Sequence, residues 1–317
     1  MKLKHIAAYT MAVCLTFSLF GCGKDNGDTG SAKLPDGTPS LQEIYQANTL
    51  EAYEKANIQP SFSVCLREGE GKEKEETNAL LTLYWDEDLG LISRMRDKSM
   101  AFKYYFNQND TDYSCSVDEN ENVILKILAD ETEKTDEDKI SRAEELFNQY
   151  GFGEYNSKEK MISCTDAGDT YHIVTDISAF SFTDSNGHRY TYTTQQYDVE
   201  KETLRILDVF RTYEFADRDG SKKTCTRSRC MTYSKVLQSL PKFMIDNLCE
   251  PEWTREFTLK YSDDTHKTVM VLDGIQVLVD APDGYQAYTD SDYETVYEAD
   301  QRDEDGEYPN RTIYIAK

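Results

Sequence analysis

The residues with most chemistry to offer are eight cysteines, four histidines and a large excess of carboxylates, 59 Asp and Glu against 35 Lys and Arg. Two cysteines lie early: Cys14 is inside an N-terminal apolar run and Cys22 ends it. The others are Cys65, Cys115, Cys164, Cys225, Cys230 and Cys249, widely and irregularly spaced with no Cys-x-x-Cys. That spacing argues against a zinc site and against thioredoxin-like redox chemistry. An even number leaves two readings open, disulfides or core thiols. Cys225 and Cys230 have opposite parity, so on one regular strand they point to opposite faces. His172, His188 and His266 each stand in or beside an expected strand, with no His, Cys or Glu at ligand spacing. No P-loop, Gly-x-Gly-x-x-Gly or Gly-x-Ser-x-Gly elbow occurs. A glycosidase needs two carboxylates across one bond, and the sequence singles out no such pair. The expectation is a non-catalytic protein without metal or cofactor, with an extracellular glycosidase as the third choice.

The N-terminus is the most specific segment. Lys2 and Lys4 precede an apolar run from Ile6 to Phe20, and small Gly21 precedes Cys22. These are the three parts of a signal peptide. A spanning helix needs about 20 apolar residues, more than this run supplies. Leu19-Phe20-Gly21-Cys22 resembles the lipobox of bacterial lipoproteins. The resemblance implies cleavage before Cys22 and a diacylglycerol on its thiol, which supplies the two chains that stable anchoring requires. The implied location is the extracellular face of the cell membrane, or the outer membrane or periplasm of a Gram-negative cell.

Residues 22–40 lack any apolar period and are rich in Gly, Asp, Ser, Thr and Pro. Such a segment cannot offset its ordering entropy and reads as a tether reaching roughly 20 to 25 Å. The chain carries a formal charge of −24, and removal of Lys2 and Lys4 makes it more acidic. Acidic surfaces repel phosphate backbones, so nucleic acid is excluded as a partner. The acid runs read as solvated loops. An EF-hand loop needs an oxygen ligand at its first position, and the runs ending in Gly220 and Gly306 put Phe215 and Gln301 there.

The elements that must position these residues are mostly strands. Ser40 with Glu43 forms a capping box, and Ile44, Tyr45, Ala47, Leu50, Ala52 and Tyr53 predict one helix over 41–56. Six short segments between 61 and 128, separated by turn residues, predict antiparallel hairpins. Ile140, Ala143, Leu146, Phe147 and Tyr150 predict a helix over 136–150. Strands resume at 161–165 and 170–177, and three long segments, 189–199, 203–215 and 222–233, predict an up-down-up meander. Both faces of 203–215 are mixed, which suggests a strongly curved sheet, though a sandwich reads similarly. A third helix is expected over 239–248, and short strands after Trp253 suggest a separate small β domain. The expected organisation is a signal peptide 1–21, a tether 22–40, a main domain 41–250 and a small domain 251–317, with an α+β, mainly antiparallel fold.

Two resemblances add expectations. Leu41 to Asn48 is similar to the opening helix of lipoproteins assigned to the LolA and LppX-like carrier group, and Tyr197 to Arg205 is similar to their hairpin; the likeness spans about 41–240. It implies a curved half-barrel sheet over helices, holding a hydrophobic or lipidic ligand. Pro282 to Tyr285, Tyr288 to Asp290 and Thr312 to Ala316 resemble the closing pattern of the Listeria-Bacteroides surface repeat, a β-grasp-like module, with Gln286-Ala287 where the repeat has Gly-Trp. It implies surface display and no chemistry.

Aromatic residues supply the ligand-binding candidates, 22 of them tyrosines. Tyr84, Trp85, Phe102, Tyr104, Phe106, Tyr190 and Tyr192 concentrate on expected strands, where Phe102, Tyr104 and Phe106 share one face. They read either as core packing or as an amphipathic wall. The expected role is a membrane-anchored binding protein, the rival a surface module that docks protein or wall polymer through its tail, with the protein partner undefined.

Overall fold

The computed structural model describes residues 34, 37–68, 76–96, 102–118, 122–129, 140–150, 156–183, 187–216, 220–234, 239–249 and 253–317. The signal peptide, Cys22 and nearly all of the tether lie outside these residues. None of the described helices is long and apolar enough to cross a membrane.

The fold is α+β, dominated by antiparallel strands in a large curved open sheet. Its first half is a run of hairpins: β1 (Gln59–Glu68), β2 (Glu76–Asp86), β3 (Gly90–Arg96), β4 (Phe102–Gln108), β5 (Thr111–Val117) and β6 (Val123–Leu128). The second half holds β7 (Lys160–Asp166), β8 (Thr170–Asp176), a short β9 (Ser181–Thr183), and the long meander β10 (Arg189–Glu200), β11 (Ile206–Ala216) and β12 (Lys222–Ser234). The halves join where β1 pairs antiparallel with β12, from Gln59↔Ser234 to Glu68↔Cys225. Turn chemistry sets the hairpins. Between β2 and β3, Asp86 Oδ1 accepts the amides of Asp88 (3.0 Å) and Leu89 (3.1 Å), and Gly90 takes φ +67°, a conformation glycine adopts without strain.

The helices are shorter than their periodicity predicts. Ser40 and Glu43 make the capping box, with Ser40 N–H donating to Glu43 Oε2 at 2.8 Å. Yet α1 (Leu41–Gln46) stops at Ala47, and α2 (Leu50–Lys55) starts afresh from an N-cap at Thr49. The break has a physical cause in Asn48, which is 2% exposed. Its Nδ2 donates to the carbonyls of Ile44 (2.7 Å) and Leu204 (2.9 Å), while Oδ1 accepts from Tyr53 Oη (2.9 Å) and the Ile206 amide (3.1 Å). Side chain to backbone bonding of this kind competes with helix continuation. The inserted helix α3 runs from Arg142 to Tyr150 behind a second capping box, Ser141 with Glu144. It therefore starts after Ile140, which is exposed; the expected start at 136 lies outside the described residues. α4 is a single turn, Lys242–Met244, capped by Pro241 and continuing as a π turn over Ile245–Cys249.

Strand alternation gives the large sheet two apolar faces with staggered covers. On one face, Phe62, Leu81, Leu83, Ile173, Tyr197, Val199, Val209 and Met231 pack against Ile44, Tyr45 and Tyr53 of α1 and α2 and Leu146 and Phe147 of α3. On the other, Tyr84, Ile92, Tyr104, Phe106, Tyr113, Leu125 and Ile127 pack against residues 240–316. Each buried apolar side chain of this size stabilises by about 1.5 to 3 kcal/mol.

The C-terminal residues form β13 (Arg255–Tyr261), β14 (His266–Val271), β15 (Gln276–Asp280), β16 (Gln286–Tyr288) and β17 (Arg311–Ala316). Four of them make a second sheet, in order β14-β13-β17-β16. β15 instead joins the large sheet, pairing parallel with β6 from Gln276↔Ile124 to Asp280↔Leu128. The expected boundary between 250 and 251 thus crosses a shared sheet and a shared core, and residues 34–317 form one compact unit. Apolar residues on Phe257, Leu259, Ile313 and Ile315 have their burial partners on β3–β6, which is why the tail folds onto that face. A buried ion pair fixes it internally: Asp300 receives Arg255 at 2.5 Å and Arg311 at 3.0 Å, with Asp300 fully buried.

Candidate functional site

The most polar buried cluster lies under α1 and was not singled out by any sequence signal. A turn in which the Glu159 amide donates to the Asn156 carbonyl (2.9 Å) brings Glu159 to the head of β7. Thr175, Gln195 and Arg211 are direct cross-strand neighbours on β8, β10 and β11. Tyr197 lies two residues on along the same face. Glu159 Oε1 accepts from Thr175 Oγ1 (2.6 Å), Tyr197 Oη (2.7 Å) and Gln195 Nε2 (3.2 Å), and Oε2 accepts from Tyr45 Oη (2.8 Å). Gln195 also donates to Tyr197 Oη and accepts from Arg211 Nε. Burial, followed by the charge of Glu159, pushes the Tyr45 phenol up; burial, then its neighbour Tyr45 and Glu159, pushes Tyr197 up. Both are held as proton donors. This arrangement fastens α1 to the sheet, with both carboxylate oxygens of Glu159 committed to internal donors.

The aromatic candidates do not converge on one wall. Tyr84, Tyr104 and Phe106 are core residues beneath the C-terminal segment, with Phe243 edge-on to Tyr104 at 5.6 Å and Trp253 edge-on to Phe106 at 6.3 Å. Phe102 shares their face but reaches the surface, where Arg94 and Arg96 lie over its ring at 4.8 and 5.6 Å. Trp85 packs on the helix-covered face. Tyr190 and Tyr192 are half-buried at the far end of β10. There they pack tilted or edge-on against Tyr213 and Phe215 at 5.2 to 5.9 Å, and Arg211 lies 5.7 Å over Tyr192. That group continues the face carrying Tyr197, so it lies apart from the core that holds Tyr84, Tyr104 and Phe106.

Five of the six possible disulfide cysteines stand as thiols: Cys115 on β5, Cys164 on β7, Cys225 and Cys230 together on β12, and Cys249 in the π turn. The side chain of Cys65 lies outside the described residues. Cys225 is buried and Cys230 exposed, the opposite facing their parity requires. Burial pushes the Cys115 thiol up to about 12, so it packs as an inert hydrophobe. Histidines serve structure: His172 Nδ1 meets Asp198 Oδ1 across strands at 2.8 Å, and His188 lies 5.0 Å from Phe215. Among the described residues, Asp86, Asp88 and Cys249 alone bring three ligand-type atoms within 4.8 Å, but Asp86 Oδ1 is engaged in its turn.

Among the described residues, two of the concavities that open to solvent stand out. A cleft of about 190 Å³ lies beside α3, between Met95, Tyr105, Leu146 and Tyr150 with Lys103, Arg142 and Gln149 at its rim. A groove of about 830 Å³ runs along β17, between residues 310–314 and the segment 294–301. It exists because β16 pairs with only Tyr314–Ala316, while β17 continues back to Arg311.

No protein-family model and no curated protein matches the chain. Among solved structures, a Bacteroides fragilis chain described as a "putative outer membrane protein" covers 61% of this chain and 100% of its own, at 10% identity and a TM-score of 0.13. A likeness at that score carries no argument.

Proposed function

We propose that the chain is a lipid-anchored protein of the outer face of a bacterial membrane, whose body docks a macromolecular partner through its C-terminal sheet and performs no catalysis. The anchor is read from Leu19 to Cys22. The observation that supports docking is the groove along β17, whose volume of about 830 Å³ is of ligand-site size. Where a carrier of the LolA type would hold its ligand, the helix-covered face is filled by Tyr53, Phe62, Leu81 and Phe147. Two measurements test the reading. Metabolic labelling with an alkyne fatty acid marks the parent, and Cys22→Ser loses both label and membrane association; label retained on the variant removes the anchor. A photo-crosslinking residue at Thr312 captures a surface partner in intact cells, and equal capture from Thr224, exposed on β12 of the large sheet, removes the docking site.

A second reading has one observation in its favour. The stripe of half-buried Tyr190, Tyr192 and Phe215 around buried Tyr213 lies on the helix-covered face beyond the Glu159 cluster and would suit an acyl chain or another apolar ligand. Native mass spectrometry of protein prepared without detergent separates the two: co-purified lipid supports the carrier, a uniformly empty mass the docking module.

A further inference from the structure

We infer that the groove along β17 takes an extended peptide strand bearing lysine or arginine; this deepens the docking reading and rests on it. Backbone geometry argues for a strand. The Ile315 carbonyl accepts the Ser262 amide at 3.1 Å, so it faces β13. Backbone groups alternate sides along a strand, so those of Arg311 and Ile313 also face β13, while those of Thr312 face the groove. β13 pairs with the whole of Arg311–Ile315, but β16 reaches no further back than Tyr314. Thr312 therefore presents a donor and an acceptor at a sheet edge, the feature that strand addition uses.

Charge argues for a cation. From Thr268 to Gln301 the chain has no Lys, Arg or His, yet holds eight carboxylates. Of these, Asp300 is neutralised inside by Arg255 and Arg311. Glu294 and Glu298 line the groove and are exposed. The one cation on its wall, Arg311, is committed to Asp300 and to the Gln301 carbonyl at 2.6 Å.

Aromatic faces supply the third element. Tyr293 packs edge-on to Tyr288 at 5.6 Å and to Tyr314 at 6.4 Å, and Tyr314 lines the groove. The same tail already places its own cations over tyrosine rings, with Lys260 over Tyr314 at 5.6 Å, Lys317 over Tyr285 at 5.1 Å and Arg302 over Tyr308 at 4.5 Å. A partner's lysine or arginine would meet ring faces and carboxylates together, the combination that binds cations best near a surface.

The probe is a capped peptide of alternating lysine and valine, titrated into the full-length protein and followed by amide hydrogen exchange. Controls are a glutamate-for-lysine peptide and a neutral chito-oligosaccharide. Expected are protection of the Thr312 amide, weakening with salt, and about tenfold weaker binding for E294Q/E298Q and for Tyr293→Ala. Thr312→Pro removes the groove-facing N–H and abolishes binding of the peptide, while Lys222→Ala, exposed on β12 of the large sheet, leaves protection at Thr312 in place. Equal binding of the two peptides, or protection at β14 instead, overturns the inference. Groove protection by the saccharide alone overturns the peptide but keeps the docking reading. No protection by either probe, with lipid co-purifying, overturns both.

Discussion

Glu159→Ala is the most searching test of how the body holds together. The substitution removes the acceptor shared by Tyr45, Thr175, Gln195 and Tyr197. Thr175 keeps the Gln195 carbonyl at 3.3 Å, and Gln195 keeps Tyr197 and Arg211. The phenols of Tyr45 and Tyr197, 2.9 Å apart, satisfy each other with one proton and strand the second. A buried stranded donor costs about 1 to 3 kcal/mol, and the lost γ-methylene adds about 0.8 kcal/mol. The expected loss is about 3 kcal/mol, a large share of the roughly 5 to 15 kcal/mol of a typical domain. Tyr45→Phe leaves Glu159 three donors and costs about 1 kcal/mol. Because both changes act on one bond, the double variant costs less than their sum by about 1 kcal/mol. Urea unfolding followed by far-UV circular dichroism and tryptophan fluorescence measures all three. A Glu159→Ala loss within about 0.5 kcal/mol of the parent, or strict additivity in the cycle, refutes the account.

Alkaline pH should unfold the protein through its phenols. Burial raises Tyr45, Tyr53, Tyr197 and Tyr233 above their ordinary value near 10. Below about pH 10 folded and unfolded chains hold these protons equally; above it the unfolded chain releases protons that the folded chain keeps. Stability is therefore fully present below about pH 10 and falls as pH rises, by up to about 1.4 kcal/mol per unit for each phenol. Tyrosinate absorbance rising in step with loss of structure checks this. Asp300→Ala should cost about 3 to 5 kcal/mol by leaving Arg255 buried without its partner, whereas replacing the pair with Arg255→Met and Asp300→Leu should cost less; thermal melts of the two variants compare them.

Strand existence was legible because β-branched and aromatic runs alternate with turn residues, and the long meander and the capping box at Ser40 appear where expected. Two kinds of feature were not. Local breaks escaped periodicity: nothing in the apolar spacing of 41–56 reveals that Asn48 is needed by Leu204 and Ile206, more than 150 residues away. Long-range partners escaped it too. β15 reads as one more tail strand, and only its pairing with β6 shows that the tail belongs to the large sheet. The Glu159 cluster draws six polar residues from α1, the head of β7, β8, β10 and β11, so no window of sequence contains it. Tyr84, Tyr104 and Phe106 were visible as aromatic, but whether such a face meets ligand or another sheet is decided by what packs over it.

The position of β1 sets a schedule for folding. It sits in the middle of the large sheet, between β2 and β12, so the first strand made must wait for one ending at Ser234 before its second edge is covered. Until then the hairpins β1–β6 form a half-sheet with an open edge, and loop closure over that separation is slow relative to hairpin formation. The interval between them is when this chain is most exposed to pairing with a copy of itself, and the rate at which β12 arrives governs how much of it reaches the folded state.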